Sequence, residues 1–199
     1  MSQLRRAMMR ASRQSGGELP TGYTAVEAIQ NGGAAYIDTL WTPKVAPRLV
    51  TELYVIGGSD QDIVGMDNTA PTWSADIYTS SNGSCYYRYG STSYQFFTTN
   101  IGNRVWASVD IGKDFIVNGV NKKTMADYDF SSNTKTCRLF SGRNGRTQNC
   151  AMKRAQLYDG DTMVRDFVPC KNEHGVCGMY DMVNGEFYAS VTTTNFSEL

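Results

Sequence analysis

The sequence predicts an all-β fold, a sandwich or barrel of antiparallel strands, and three observations predict it. Charged residues make up only 19% of the 199-residue chain, and Ser, Thr, Asn, Gly and Tyr take their place, a composition for strands and turns. Hairpin dipeptides recur at Asn82-Gly83, Asn118-Gly119, Asp159-Gly160 and Asn184-Gly185, where both positions tolerate positive φ. Between Thr21 and Leu199 no segment keeps helical periodicity over three turns, while about a dozen short strand-like runs are separated by turn signals.

Residues 1–18 stand apart as an N-terminal arm, and residues 19–199 form one domain. Arg5, Arg6, Arg10 and Arg13 all precede the first acid, Glu18. The whole chain balances 19 Lys plus Arg against 19 Asp plus Glu, so removing this +4 leaves 15 bases against 19 acids, or −4. Leu4, Ala7, Met8 and Ala11 fall at i, i+3, i+4 and i+7, one apolar stripe with arginines around it. Ser15-Gly16-Gly17 ends any helix as a flexible joint. Met1 to Gln14 is too short for a stable lone helix in water. The segment is therefore either a solvated tail or an anchoring arm, helical or extended, that orders on a partner through Leu4, Arg5, Arg6, Met8, Arg10 and Arg13.

The strand signals follow in order. Tyr23–Ile29 reads as one helical turn or as a first strand. Arg48–Ile56 is rich in β-branched and aromatic residues and stops at Gly57-Gly58. In Arg104–Ile111, Val105, Ala107, Val109 and Ile111 share one face, and Arg104, Trp106, Ser108 and Asp110 share the other. Asp114–Val117 leads into Asn118-Gly119. Ala151–Tyr158 turns at Asp159-Gly160 into Met163–Val168, and Val176–Met182 turns at Asn184-Gly185 into Phe187–Val191.

Charge and hydropathy exclude some functions. Zero net charge argues against a nucleic-acid binder. No apolar run is long enough for a membrane span, and Met1 to Gln14 lacks the apolar region of a secretory signal. The five cysteines, Cys85, Cys137, Cys150, Cys170 and Cys177, are odd in number and form no CxxC, which fits free buried thiols made in a reducing cytosol. Only Cys170, His174 and Cys177 lie close together, and a zinc site there needs a distant fourth ligand.

Several segments carry a resemblance. Leu19-Pro20-Thr-Gly-Tyr23-Thr-Ala-Val26-Glu27-Ala-Ile29 precedes Ala35-Tyr36-Ile37-Asp38-Thr39. Later come Ala155-Gln-Leu157-Tyr158-Asp159-Gly160, Val164-Arg165-Asp166-Phe167-Val168-Pro169-Cys170, Gly178-Met179-Tyr180-Asp181 and Asn184-Gly185-Glu186-Phe187-Tyr188. This order resembles the small concanavalin A-like, laminin G-type jelly-roll domains of gut bacteria and their phages, over about residues 19–190 and most strongly at both ends. The resemblance implies a two-sheet antiparallel jelly roll whose chain ends pair near each other. It also implies a virion-associated protein on a fibre, tail or capsid surface, assembled in the bacterial cytoplasm, with a short Arg- and Met-rich segment before the Leu-Pro-x-x-Tyr start. Its implied partners are other virion proteins through the arm, further copies of itself, and host-surface glycan.

Folds of this kind also host glycoside hydrolases, which place carboxylates on alternate residues of one strand. None of Glu18, Glu27, Glu52, Glu173, Glu186 and Glu198 has an acid two residues away in a strand-like segment. The alternating pairs Asp60/Asp62, Asp127/Asp129 and Asp159/Asp161 lie in turn-like sequence, with no third acid following. A Ser-His or Cys-His system would have to use His174, a loop residue in Lys171-Asn-Glu-His-Gly175. Gly142-Arg-Asn-Gly145-Arg lacks the Gly-Lys-Ser/Thr of a phosphate loop. No catalytic residue and no cofactor is expected. A calcium ion on Asp60-Gln-Asp62, Asp67-Asn68 or Asp127-Tyr-Asp129 stays open, because no three ligands assign to one site. Aromatic residues are the remaining candidates: Trp73, Tyr86, Tyr87, Tyr89, Tyr94 and Trp106, for core packing, protein contact or glycan stacking. Alternation places Tyr87 and Tyr89 on one face, and Tyr86 and Arg88 on the other.

Overall fold

The computed structural model describes residues 17–57, 61–66, 71–79, 84–90, 94–98, 101, 104–142, 147 and 149–199. The arm candidates Leu4, Arg5, Arg6, Met8, Arg10 and Arg13 lie outside the described residues, as do Asp60, Asp67-Asn68 and Asn82-Gly83. Among the described residues there is no helix, and hence none long and apolar enough to cross a membrane. The strands are β1 (Tyr23–Ala25), β2 (Ile29–Gln30), β3 (Ile37–Asp38), β4 (Pro47–Gly57), β5 (Gln61–Gly65), β6 (Thr72–Thr79), β7 (Ser84–Gly90), β8 (Tyr94–Thr98) and β9 (Trp106–Ile111). They continue as β10 (Asp114–Val117), β11 (Val120–Thr124), β12 (Arg138–Leu139), β13 (Asn149–Met152), β14 (Ala155–Asp159), β15 (Thr162–Asn172), β16 (Cys177–Asp181), β17 (Glu186–Tyr188) and β18 (Ser197–Glu198).

Two antiparallel sheets make a sandwich of the jelly-roll kind. The larger runs β11-β10-β9-β4-β14-β15-β16-β17, with β1 on β15, β13 between β4 and β2, and β18 on β2. The smaller runs β3-β12-β5-β6-β7-β8. The chain ends meet in the larger sheet: Tyr23 faces Asn172, Ser197 faces Gln30, and the Leu199 amide donates to the Ala28 carbonyl at 3.2 Å.

Strand parity builds the core. On β4, Leu49, Leu53 and Val55 are fully buried, while Arg48, Val50 and Tyr54 are partly exposed and Glu52 is exposed. On β9, Ala107, Val109 and Ile111 turn inward, beside Phe115 and Val117 of β10. From the smaller sheet come Leu139, Val64, Trp73, Ala75, Cys85 and Tyr87. The turns follow their residues: Asn118 and Gly119 hold φ of 50° and 78°, matching the twist of the β10–β11 hairpin.

Four expectations are corrected. Val105 does not join the buried face; Arg104 sits in the left-handed region (φ 57°), the strand starts at Trp106, and Val105 is 61% exposed. Asp62 is no turn residue but a buried member of β5, with Gly142 packed against its side chain. The β16–β17 hairpin is shorter than the sequence suggests, since β17 ends at Tyr188. The run Ala151–Tyr158 is two strands. Met152 faces Leu53 but Gln156 faces Val50, so the register slips by one residue at Lys153-Arg154. A bulge of this type breaks strict alternation, and both Lys153 and Arg154 contact partners on the outer face.

Candidate recognition face

The outer face of the larger sheet carries the side chains that the core rejects. Across four strands, Asp110 of β9, Val50 of β4, Gln156 of β14 and Asp166 of β15 form one row. Arg48 lies one step along β4 on the same face. It grips Asp110 with both arms of its guanidinium, Nε to Oδ1 at 2.7 Å and Nη2 to Oδ2 at 2.6 Å. At the other end of the row Arg154 does the same to Asp166, Nε donating to Oδ1 at 2.6 Å and Nη2 to Oδ2. Those hydrogen bonds hold both guanidinium pKa values above the ordinary arginine value. Asp166 is 1% exposed, so its desolvation is offset by the fork. Between the two forks lies Tyr158: the Arg48 guanidinium stands 5.2 Å from its ring centroid, and its hydroxyl donates to Gln156 Oε1 at 3.4 Å.

A second group sits further along β4 and β9. The rings of Tyr54 and Trp106 lie 5.4 Å apart at 44°. The Lys153 ammonium stands 4.5 Å from the Trp106 ring centroid, 3.0 Å from Glu52 Oε2 and 3.2 Å from Glu27 Oε1. Burial lowers the Lys153 pKa, but the hydrogen bonds to Glu52 and Glu27 outweigh it and the net shift is upward. Alternation from the buried Met152 turns Lys153 outward opposite Glu52, and the register slip then puts Arg154 on the same face.

The arrangement suits recognition rather than proton transfer. Both oxygens of Asp110 and of Asp166 accept from a guanidinium, so neither carboxylate is poised as a general acid or base. The face instead offers partly exposed rings, two guanidinium groups and two exposed glutamates, the groups that stack on sugar rings and bind hydroxyls.

The sequence-predicted aromatic residues divide by face. Trp73 and Tyr87 are fully buried and Tyr89 is 6% exposed, so these three pack the interior. Trp73 meets Trp41 edge-on at 6.4 Å, Tyr87 meets Phe115 at 5.1 Å, and Tyr89 meets Phe130 at 5.0 Å. The Tyr87 hydroxyl donates to the Gly112 carbonyl, and burial pushes its pKa well up; burial also pushes Tyr89 up to about 12. Tyr86 and Arg88 are partly exposed on the outer side of the smaller sheet; Tyr94 pairs with Arg88 in the β7–β8 backbone register, and its side chain lies outside the described residues. Trp106 alone of the six joins the outer face of the larger sheet. Sequence reasoning missed Tyr54, Tyr158, Arg48, Gln156 and Lys153. Alternation along Arg48–Ile56 was the signal that could have put Arg48 and Tyr54 on one face, but their partners on β9 and β14 needed the pairing.

Other chemistry is dispersed. All five cysteines are buried and free; burial raises Cys137 and Cys150 strongly and takes Cys170 up to about 11. Cys170 faces Gly178 and Cys177 faces Lys171, so the two thiols point to opposite sides of the sheet. His174 is exposed in the β15–β16 turn, 3.7 Å from Glu173. Asp159 Oδ1 accepts from the amides of Lys44, Val45 and Ala46. Among the described residues no cluster of three or more His, Cys, Asp and Glu is placed to hold a metal ion. Comparison with known protein families and with curated proteins finds no match to this chain.

Proposed function

We propose that the chain is a non-enzymatic, lectin-like structural component of a phage particle. Residues 19–199 present a recognition face for host-surface glycan, and residues 1–18 anchor the domain to other virion proteins and to further copies of itself. The particle context extends the resemblance at Leu19–Ile29 and Ala155–Tyr188. The recognition role rests on one observation: the outer face of the larger sheet exposes rings and polar groups while its two buried carboxylates, Asp110 and Asp166, are each bound in an arginine fork. A carbohydrate-binding module of a bacterium would use the same face without the arm, and a hydrolase would need an acid free of its fork.

A glycan array probed with the full chain tests this reading. Millimolar or tighter binding that Tyr158→Ala and Trp106→Ala each weaken at least about tenfold supports it. Binding that neither substitution changes contradicts it. Incubation with β-glucans should release no reducing ends, and turnover lost on replacing Asp110 or Asp166 would make the protein a hydrolase.

A further inference from the structure

The outer face repeats one arrangement at two places. At the first, the Lys153 ammonium stands 4.5 Å from the Trp106 ring centroid and 3.0 Å from Glu52 Oε2, and the Tyr54 ring lies 5.4 Å from the indole. At the second, the Arg48 guanidinium stands 5.2 Å from the Tyr158 ring centroid and forks onto Asp110. Each place joins a partly exposed ring to a cation that is itself held by a carboxylate.

Register gives the distance between them. Tyr54 pairs with Trp106, and Arg48 pairs with Tyr158. Arg48 and Tyr54 stand six positions apart on one face of β4, roughly 20 Å at the rise of an antiparallel strand. The floor between them is regular, because β4 and β9 pair without a bulge from Leu49 to Tyr54. Val50 and Ser108 are partly exposed on it, and Glu52 is exposed. No single sugar bridges that gap. A pyranose ring is about as wide as one strand spacing, roughly 5 Å, so a ligand that touches both places needs about four rings in line. Two like places on one face suit a ligand whose own chemistry repeats.

Charge narrows the ligand further. Arg48 and Arg154 are forked onto Asp110 and Asp166, and Lys153 meets both Glu52 and Glu27. Three cations against four carboxylates leave these groups at −1. A sulfate, phosphate or carboxylate on the ligand would reach one of these cations only by displacing a carboxylate already in place, and the remaining negative charge would repel it. Hydroxyl groups carry no such penalty, since they can donate to Glu52 and accept from Arg48 without displacing either.

We propose that the ligand of this face is an internal stretch of a neutral, linear polysaccharide, laid along β4 and gripped at both the Trp106 and the Tyr158 end. This rests on the recognition reading above and adds length and charge to it. Either grip alone is weak. Once one is engaged the other binds intramolecularly, so affinity climbs when the chain is long enough to reach both.

The test uses the full chain on immobilised ladders of linear glucose, mannose, galactose and N-acetylglucosamine oligomers, from monosaccharide to octamer. Oligogalacturonate and oligosialate ladders serve as acidic counterparts. Within a neutral ladder, affinity should rise at least about tenfold between dimer and pentamer and then level. Trp106→Ala and Tyr158→Ala should each return the pentamer to the affinity of the dimer, while Trp106→Phe and Tyr158→Phe, which keep a ring, retain most of the rise. A dimer bound as tightly as the octamer overturns the two-ended grip and leaves the recognition reading. So does a rise that only one of the alanine variants removes. An acidic ladder bound more tightly than every neutral one overturns the neutral assignment. Binding on the wider glycan array with none to any ladder overturns the linear chain alone, and silence on both overturns the recognition reading.

Discussion

Tyr86 and Tyr87 are neighbours on one strand, yet one meets solvent and the other is sealed between the sheets. The same contrast holds across the molecule. The inner aromatic group of Trp41, Trp73, Tyr87, Tyr89, Phe115 and Phe130 interlocks edge-to-face, and the outer group of Tyr54, Trp106 and Tyr158 lies among cations, glutamates and an amide. Residue type does not separate the two groups. Parity along the strand does, and it divides their roles as well. The inner rings supply stability, and the outer ones are the rings that the proposed recognition would use.

The largest effect that this contrast predicts is in stability. Trp73→Ala should cost about 3–5 kcal/mol through lost burial and the cavity left behind, whereas Trp106→Ala should cost below about 1 kcal/mol. Guanidinium unfolding of both variants measures the gap; comparable losses would erase the distinction between the groups. Next come the two forks. Asp166→Ala strands Arg154 over a buried site and should cost about 3 kcal/mol. Asp110→Ala should cost about half as much, because the Arg48 side chain is 43% exposed and water can replace its partner. Equal losses would mean that burial of the fork is irrelevant.

Alkaline pH sharpens the comparison without a mutation. Burial raises the folded-state pKa of Tyr87, Tyr89, Cys137 and Cys150 above the unfolded values. The neutral forms are favoured in the folded state, so this stabilisation is complete below about pH 8 and is lost as pH rises through the thiol and then the phenol range. Unfolding free energy should fall steadily from pH 9 to 12. The five free thiols should likewise resist Ellman's reagent in the folded protein at pH 8 and react on unfolding. The smallest effect belongs to a turn: Gly119→Ala, at φ 78°, should cost about 1 kcal/mol and leave the recognition face untouched.

Much of the fold is legible in the sequence, because a hairpin is a local object. Asn118-Gly119, Asp159-Gly160 and Asn184-Gly185 mark turns that the chain makes, and alternation in Ala107–Ile111 gives the buried face of β9. The outer face is less legible for two reasons. Its defining pairs are distant, Arg48 and Asp110 being 62 positions apart, so no window contains both. Its Arg154–Asp166 fork depends on an irregularity, the bulge at Lys153-Arg154, which periodicity treats as an interruption. Val105 falls outside its expected place for a related reason: the left-handed backbone at Arg104 delays the strand by a residue.

Hydroxyl-radical footprinting, read residue by residue with and without a glycan chosen from the array, bears most directly on the claim that one sheet face recognises. Tyr54, Trp106 and Tyr158 should lose reactivity on binding, while Trp73, Tyr87 and Tyr89 stay unreactive throughout. Protection confined to Tyr86 and its neighbours on the smaller sheet, or absent from the larger sheet altogether, would contradict it.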